Sequence, residues 1–155
     1  MDKLVVVDAS VWVSAFMPQD VNHPASRLWI EHYISEGGLI VAPTFLMIEV
    51  AATVSRQARQ PAAGRGAVKG LYYVPAMRWR SPDPELFWAE VEVAADLQLR
   101  AGDASYVTLA RQLNIPLVSW DREQLQKADN LIATYTPSNY PFQEVTSPSL
   151  DDAPL

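Results

Sequence analysis

Cysteine is missing altogether from the 155 residues, and histidine occurs only twice. The first absence excludes disulfides, thiolate zinc sites and cysteine nucleophiles, and it fits a cytoplasmic protein. No apolar run approaches the roughly 18–20 residues that a membrane span requires. Met1-Asp2-Lys3 leads at once into a short strand-like run, so the N-terminus does not read as a secretory signal. Acids are absent over one long stretch. None lies between Val50 and Pro82, where Arg56, Arg59, Arg65, Lys69, Arg78 and Arg80 supply half of the 12 basic residues. The whole chain carries −6, which taken alone disfavours a phosphate-rich partner. The local excess of positive charge opposes that inference, although a solvated face is the plainer explanation of such a run.

What is present alternates. Leu4–Val7 reads as a buried strand, and Ser10–Met17 as a short helix stopped by Pro18. A helical stripe over Ala25–Ile34 ends at Gly37-Gly38, before a second strand, Leu39–Ala42. A helix is expected from Thr44 to about Gln60. Gly64-Arg65-Gly66 and Gly70 then suggest a mobile connection or a short, weak helix, and Pro75 confines Tyr72–Arg80 to a sheet edge or a bulge. Asp83-Pro84 starts another helix, Asp103 opens one that runs to Leu113, and Ile115–Trp120 and Asn130–Thr134 complete the strands. This pattern predicts an α/β fold, a three-layer α/β/α sandwich around a mostly parallel sheet of about five strands. One domain is expected over residues 1–142. Residues 143–155 form an acidic, proline-containing tail expected to be disordered.

Four carboxylates stand at the edges or in the middle of apolar runs. Asp8 follows Leu4-Val5-Val6-Val7, Glu49 is embedded in Phe45–Ala52, Asp103 precedes the stretch from Ala104 to Leu113, and Asp121 closes Ile115–Trp120. The three aspartates could be helix caps or turn residues. Glu49 resists so plain an account. Its helical neighbours are Phe45, Leu46, Ala52 and Thr53, so if buried it needs a proton or a partner from elsewhere in the fold. In a parallel sheet the functional crevice lies beyond the C-terminal strand ends, where Asp8 and Asp121 fall. Carboxylates gathered there repel unless protons or a cation neutralise them. Oxygen ligands without nearby cysteine or histidine select Mg²⁺ or Mn²⁺, and with it phosphodiester hydrolysis.

Val7-Asp8-Ala9-Ser10-Val11-Trp12, Pro43 followed by Glu49-Val50, Gly102-Asp103-Ala104-Ser105-Tyr106, and Leu117-Val118-Ser119-Trp120-Asp121 resemble, in order, the motifs of PIN domains. They are most similar to those of the VapC-like ribonuclease toxins of bacterial toxin–antitoxin pairs. The resemblance implies an Mg²⁺- or Mn²⁺-dependent endoribonuclease, homodimers, an RNA substrate and a small antitoxin covering the acidic site. It makes Asp8, Glu49, Asp103 and Asp121 the catalytic and metal-binding acids, with Ser10 ordering the first of them. Arg56, Arg59 and Arg65 are the candidate RNA contacts, with Tyr72, Tyr73 and Trp79 available for stacking. Two departures stand out: Gly102 where many relatives have an aromatic residue, and Ala51-Ala52 where a polar residue usually follows the glutamate. The competing expectation is a non-catalytic PIN-like module that binds RNA or protein.

Overall fold

Successive side chains of a strand point to opposite faces, yet Val5, Val6 and Val7 are all wholly buried. Both faces of the sheet are therefore covered. The computed structural model, which describes residues 3–142, shows how. Five strands, β1 (Leu4–Val7), β2 (Leu39–Pro43), β3 (Met77–Arg80), β4 (Leu117–Val118) and β5 (Thr134–Tyr135), form one sheet in the order β3-β2-β1-β4-β5. Every neighbouring pair is parallel. Seven helices flank it: α1 (Ala9–Phe16), α2 (His23–Ser35), α3 (Phe45–Ala58), α4 (Pro61–Tyr72), α5 (Pro84–Leu97), α6 (Ala101–Leu113) and α7 (Arg122–Ala128). None is long and apolar enough to cross a membrane. The expected α/β sandwich is the observed one, and the expected tail lies outside the described residues.

The chain leaves β1 for β2 and β3 on one side, then returns to place β4 on the other side of β1. Such a reversal opens a crevice at the C-terminal ends of the central strands. Register completes the placement. Val7 pairs with Val118, so the next residues, Asp8 and Ser119, emerge side by side.

Several elements differ from expectation. The glycine-rich stretch, expected as a mobile connection or a short helix, is the twelve-residue helix α4, closely packed on α3. A Cβ on Gly64 would stand 2.1 Å from Ser55 Oγ and 2.3 Å from the Ala51 carbonyl oxygen. That glycine is the contact through which two helices approach, and packing overrides its low helix propensity. Helix α6 begins at Ala101, which moves Asp103 from the cap into the first turn. Three strands differ too: β3 starts only at Met77, beyond Pro75, β4 holds two residues of the run Ile115–Trp120, and β5 is Thr134–Tyr135 where Asn130–Thr134 was expected. β3 is an edge strand, as Pro75 required.

Candidate active site

Asp8 and Asp121 occupy equivalent places, each following a central strand and capping the next helix. Asp8 Oδ1 accepts from the Ser10 amide at 3.1 Å, and Asp121 Oδ1 from the Gln124 amide at 3.1 Å. Each aspartate thus spends one oxygen as a cap and gives the second to a partner across the crevice, Ser119 for Asp8 and Arg100 for Asp121. The capping account and the site account hold together, because they use different atoms.

Asp8 is only 3% exposed. The Ser10 hydroxyl donates to its Oδ1 at 2.6 Å, and the Ser119 hydroxyl donates to its Oδ2 at 2.8 Å. The same two hydroxyls fix the loop after β4, since Ser10 Oγ accepts from the Trp120 amide and Ser119 Oγ from the Asp121 amide, both at 2.9 Å. The Trp120 indole also donates to buried Ser26 at 2.8 Å, locking that loop onto α2. Burial above all, helped by the nearby Asp103 and Glu49, pushes the Asp8 carboxyl up to about 7 against the pull of its two hydroxyl donors.

Glu49 projects from α3 toward α6. Its partner from elsewhere in the fold is Tyr106, whose hydroxyl donates to Glu49 Oε2. Partial burial raises the Glu49 carboxyl above its ordinary value; the Tyr106 hydrogen bond opposes this, Asp103 adds to it, and Arg100 counters. Gly102 makes the approach of α3 and α6 workable. A Cβ there would stand 2.5 Å from Glu49 Oε1 and 2.9 Å from the Phe45 ring. Asp103, one residue on, is also raised, first by burial, with Arg100 pulling it back.

Asp8, Glu49, Asp103 and Asp121 line one cavity of about 200 Å³, together with Ser10, Tyr106 and Arg100. Arg56, Arg59 and Arg65 do not line it: the first two lie at the C-terminal end of α3, and Arg65 is on the exposed side of α4. Tyr72 stacks on Trp79 at 6.0 Å, while Tyr73 is exposed. His23 sits with Nδ1 2.8 Å from the Ser14 carbonyl oxygen, and His32 packs edge-on to Phe142. Three residues went unassigned in the sequence: Ser119, Tyr106 and Arg100. Ser119 and Tyr106 were within the quoted motifs. Arg100 carried a legible signal, a basic residue just before a helix and three before an acid.

The donor set suits a hard divalent cation. Its oxygens converge with excess negative charge, and the arrangement already draws in a cation, the Arg100 guanidinium, which bridges Asp103 and Asp121. Among the described residues, however, no three histidines or acids are gathered tightly enough to enclose an ion as they stand.

Comparison with known proteins agrees with this geometry. The family model described as PIN domain matches residues 5–131. No curated protein matches the chain. Among solved structures, PAE2754 from Pyrobaculum aerophilum is similar with a TM-score of 0.60 and 23% identity, over 86% of this chain and 83% of that one. VapC20 of Mycobacterium tuberculosis, a sarcin-ricin loop cleaving toxin, is similar with a TM-score of 0.59 and 15% identity, over 73% and 86%. VapBC2 from Rickettsia felis, bound to a DNA fragment from its promoter, gives 0.64 and 12%, over 85% and 98%.

Proposed function

The chain belongs to the PIN domain family, and from that premise we propose that it is a divalent-metal-dependent endoribonuclease, the toxin of a toxin–antitoxin pair. One observation carries the reading: four acids from four separate elements line a single cavity at the C-terminal ends of the central parallel strands, the most buried of them oriented by two hydroxyls. Nothing in the core requires that gathering, and burial disfavours the charged forms of Asp8, Glu49 and Asp103 where they stand.

Asp8, Glu49, Asp103 and Asp121 would hold Mg²⁺ or Mn²⁺. Bound there, such an ion activates a water and stabilises charge on phosphate oxygens. The protein's own part is positional. Ser10 and Ser119 aim Asp8, Tyr106 aims Glu49, and the first turn of α6 carries Asp103, favourably placed at a helix N-terminus. The exposed arginines from Arg56 to Arg80 supply the positive surface that a polyanion needs near an acidic cavity.

Partners follow from a second surface. An apolar cleft of about 640 Å³ runs between α3 and α5, and Ile48 (64% exposed), Phe87 and Val91 stand open beside it. Exposed apolar side chains gathered around one cleft suit a protein contact, and we assign it to a cognate antitoxin or to a second copy in a homodimer. Solved relatives include VapBC2 and a toxin-antitoxin complex from Klebsiella pneumoniae. The cytoplasm is where such an enzyme meets RNA.

The test is cleavage of end-labelled single-stranded RNA with Mg²⁺, Mn²⁺ or chelator, using the wild type and Asp8→Asn. Cleavage should require the ion and vanish in the variant. No metal-dependent cleavage of any RNA would leave a binding module in place of an enzyme.

A further inference from the structure

Arg100 stands where a basic residue is unfavourable. It immediately precedes α6 and makes no side-chain capping hydrogen bond, and positive charge at a helix N-terminus opposes the macrodipole. Its guanidinium reaches instead across the mouth of the acid cavity. Nε donates to Asp103 Oδ2 at 3.0 Å, and Nη2 donates to Asp121 Oδ2 at 2.5 Å. The arginine side chain is 77% exposed, whereas the two carboxylates are 15% and 22% exposed. The arm therefore lies over two acids from outside and is not built into the core. It borders a second polar cavity of about 280 Å³, walled also by Glu123 and Lys127, which leaves room for it to move aside.

We propose that Arg100 is a built-in competitor for the divalent cation. Its guanidinium occupies Oδ2 of Asp103 and Oδ2 of Asp121, and metal entry displaces it. The freed arm, still at the cavity mouth, then takes a phosphate oxygen of the RNA. The proposal rests on the metal-dependent reading above. Three features of the geometry support it. The two oxygens that Arg100 holds belong to proposed ligands, the contacts are solvent-exposed and so weak enough to exchange, and a guanidinium matches phosphate as well as it matches carboxylate. A purely structural clasp between α6 and the start of α7 would use the same contacts without affecting metal affinity.

The experiment is calorimetric titration of Mn²⁺ into the full chain without RNA, for the wild type, Arg100→Ala, Arg100→Lys and Asp8→Asn, followed by RNA cleavage at saturating Mn²⁺. Removing the competitor should tighten Mn²⁺ binding about tenfold, a usual size for coupling between sites. Arg100→Lys should fall between, and Arg100→Ala should raise KM for RNA more than it lowers kcat. Mn²⁺ affinity unchanged or weakened in Arg100→Ala, with binding abolished in Asp8→Asn, overturns the competitor and leaves the metal reading standing. No Mn²⁺ binding by any of the four proteins, with cleavage indifferent to chelator, overturns both. Tighter Mn²⁺ binding with an unchanged KM supports the competitor and overturns the phosphate contact.

Discussion

Asp8 combines three demands on one carboxylate: it caps α1, accepts two hydroxyls and sits almost out of reach of water. Burial dominates, so the folded chain keeps a proton up to about pH 7 that the unfolded chain releases near 3.8. The folded state binds more protons through that window, so stability falls as pH rises across it, by an amount on the order of a few kcal/mol. Melting temperature of the metal-free protein should therefore decline between about pH 4 and pH 7 in part because of Asp8. Asp8→Asn, which keeps the cap, should flatten that decline while Glu49 and Asp103 preserve some of it. A variant whose melting temperature tracks the wild type at every pH would acquit Asp8. Gly102 offers a second test at this scale. Gly102→Ala places a methyl against Glu49 and Phe45, so the Glu49 carboxylate must shift from the position it holds against Tyr106. Cleavage should drop by up to about a hundredfold, the loss a misplacement of about 1 Å can cause, while far-UV circular dichroism stays unchanged. Full activity in Gly102→Ala would show that Glu49 tolerates displacement.

Helix α4 shows how an element can be illegible to local rules. Gly64-Arg65-Gly66 and Gly70 speak against a helix, and only the approach of α3 explains why one forms. The two kinds of glycine make opposite predictions. Gly66 has nothing within 4 Å of a built Cβ, so Gly66→Ala should stabilise by about 0.5–1 kcal/mol through propensity and unfolded-state entropy. Gly64→Ala should destabilise by about 1–3 kcal/mol through overpacking, despite the same gain in propensity. Urea midpoints decide between them, and a stabilised Gly64→Ala would mean that α3 and α4 are not held by this contact. Other elements were legible for plain reasons. Leu4–Val7 and the run around Val41 were apolar enough to be two-faced buried strands, and Asp83-Pro84 carried its own start signal. Helix α7 was missed because seven polar-rich residues give no periodicity to read.

At the scale of the molecule, the meeting of Asp8 and Asp121 was legible because strand-end acids in a parallel sheet have one place to go, whereas Glu49 and Asp103 reach the same cavity from helices α3 and α6. The hydroxyls that orient Asp8 were not all legible, since Ser119 reaches it only through the β1–β4 register. Charge distribution poses the remaining question. A chain of −6 with an acidic cavity repels RNA at long range, yet Arg56, Arg59, Arg65, Lys69, Arg78 and Arg80 are all exposed. Among the described residues none of these six forms an ion pair; the paired cations are Arg27, Arg100 and Lys127. Their charge is thus undiminished by local partners and available to a phosphate backbone. Arg56 follows Glu49 by seven residues on α3, close to two full turns, so it lies on nearly the same side of the helix about 10 Å farther along. That is roughly the reach of an unpaired strand leaving the cavity by one or two nucleotides. Replacing Arg56, Arg59 and Arg65 by alanine should weaken binding of a single-stranded RNA, measured by fluorescence anisotropy across a salt series. If all three meet phosphates, the log–log slope should become shallower by about 2, from roughly 0.7 per neutralised phosphate. Mn²⁺ affinity should not change, because none of the three lines the acid cavity. An unaltered slope would leave this basic surface to a protein partner or merely to solubility, and the RNA would then have to enter across α7, where Arg122 is exposed on the opposite flank of the sheet.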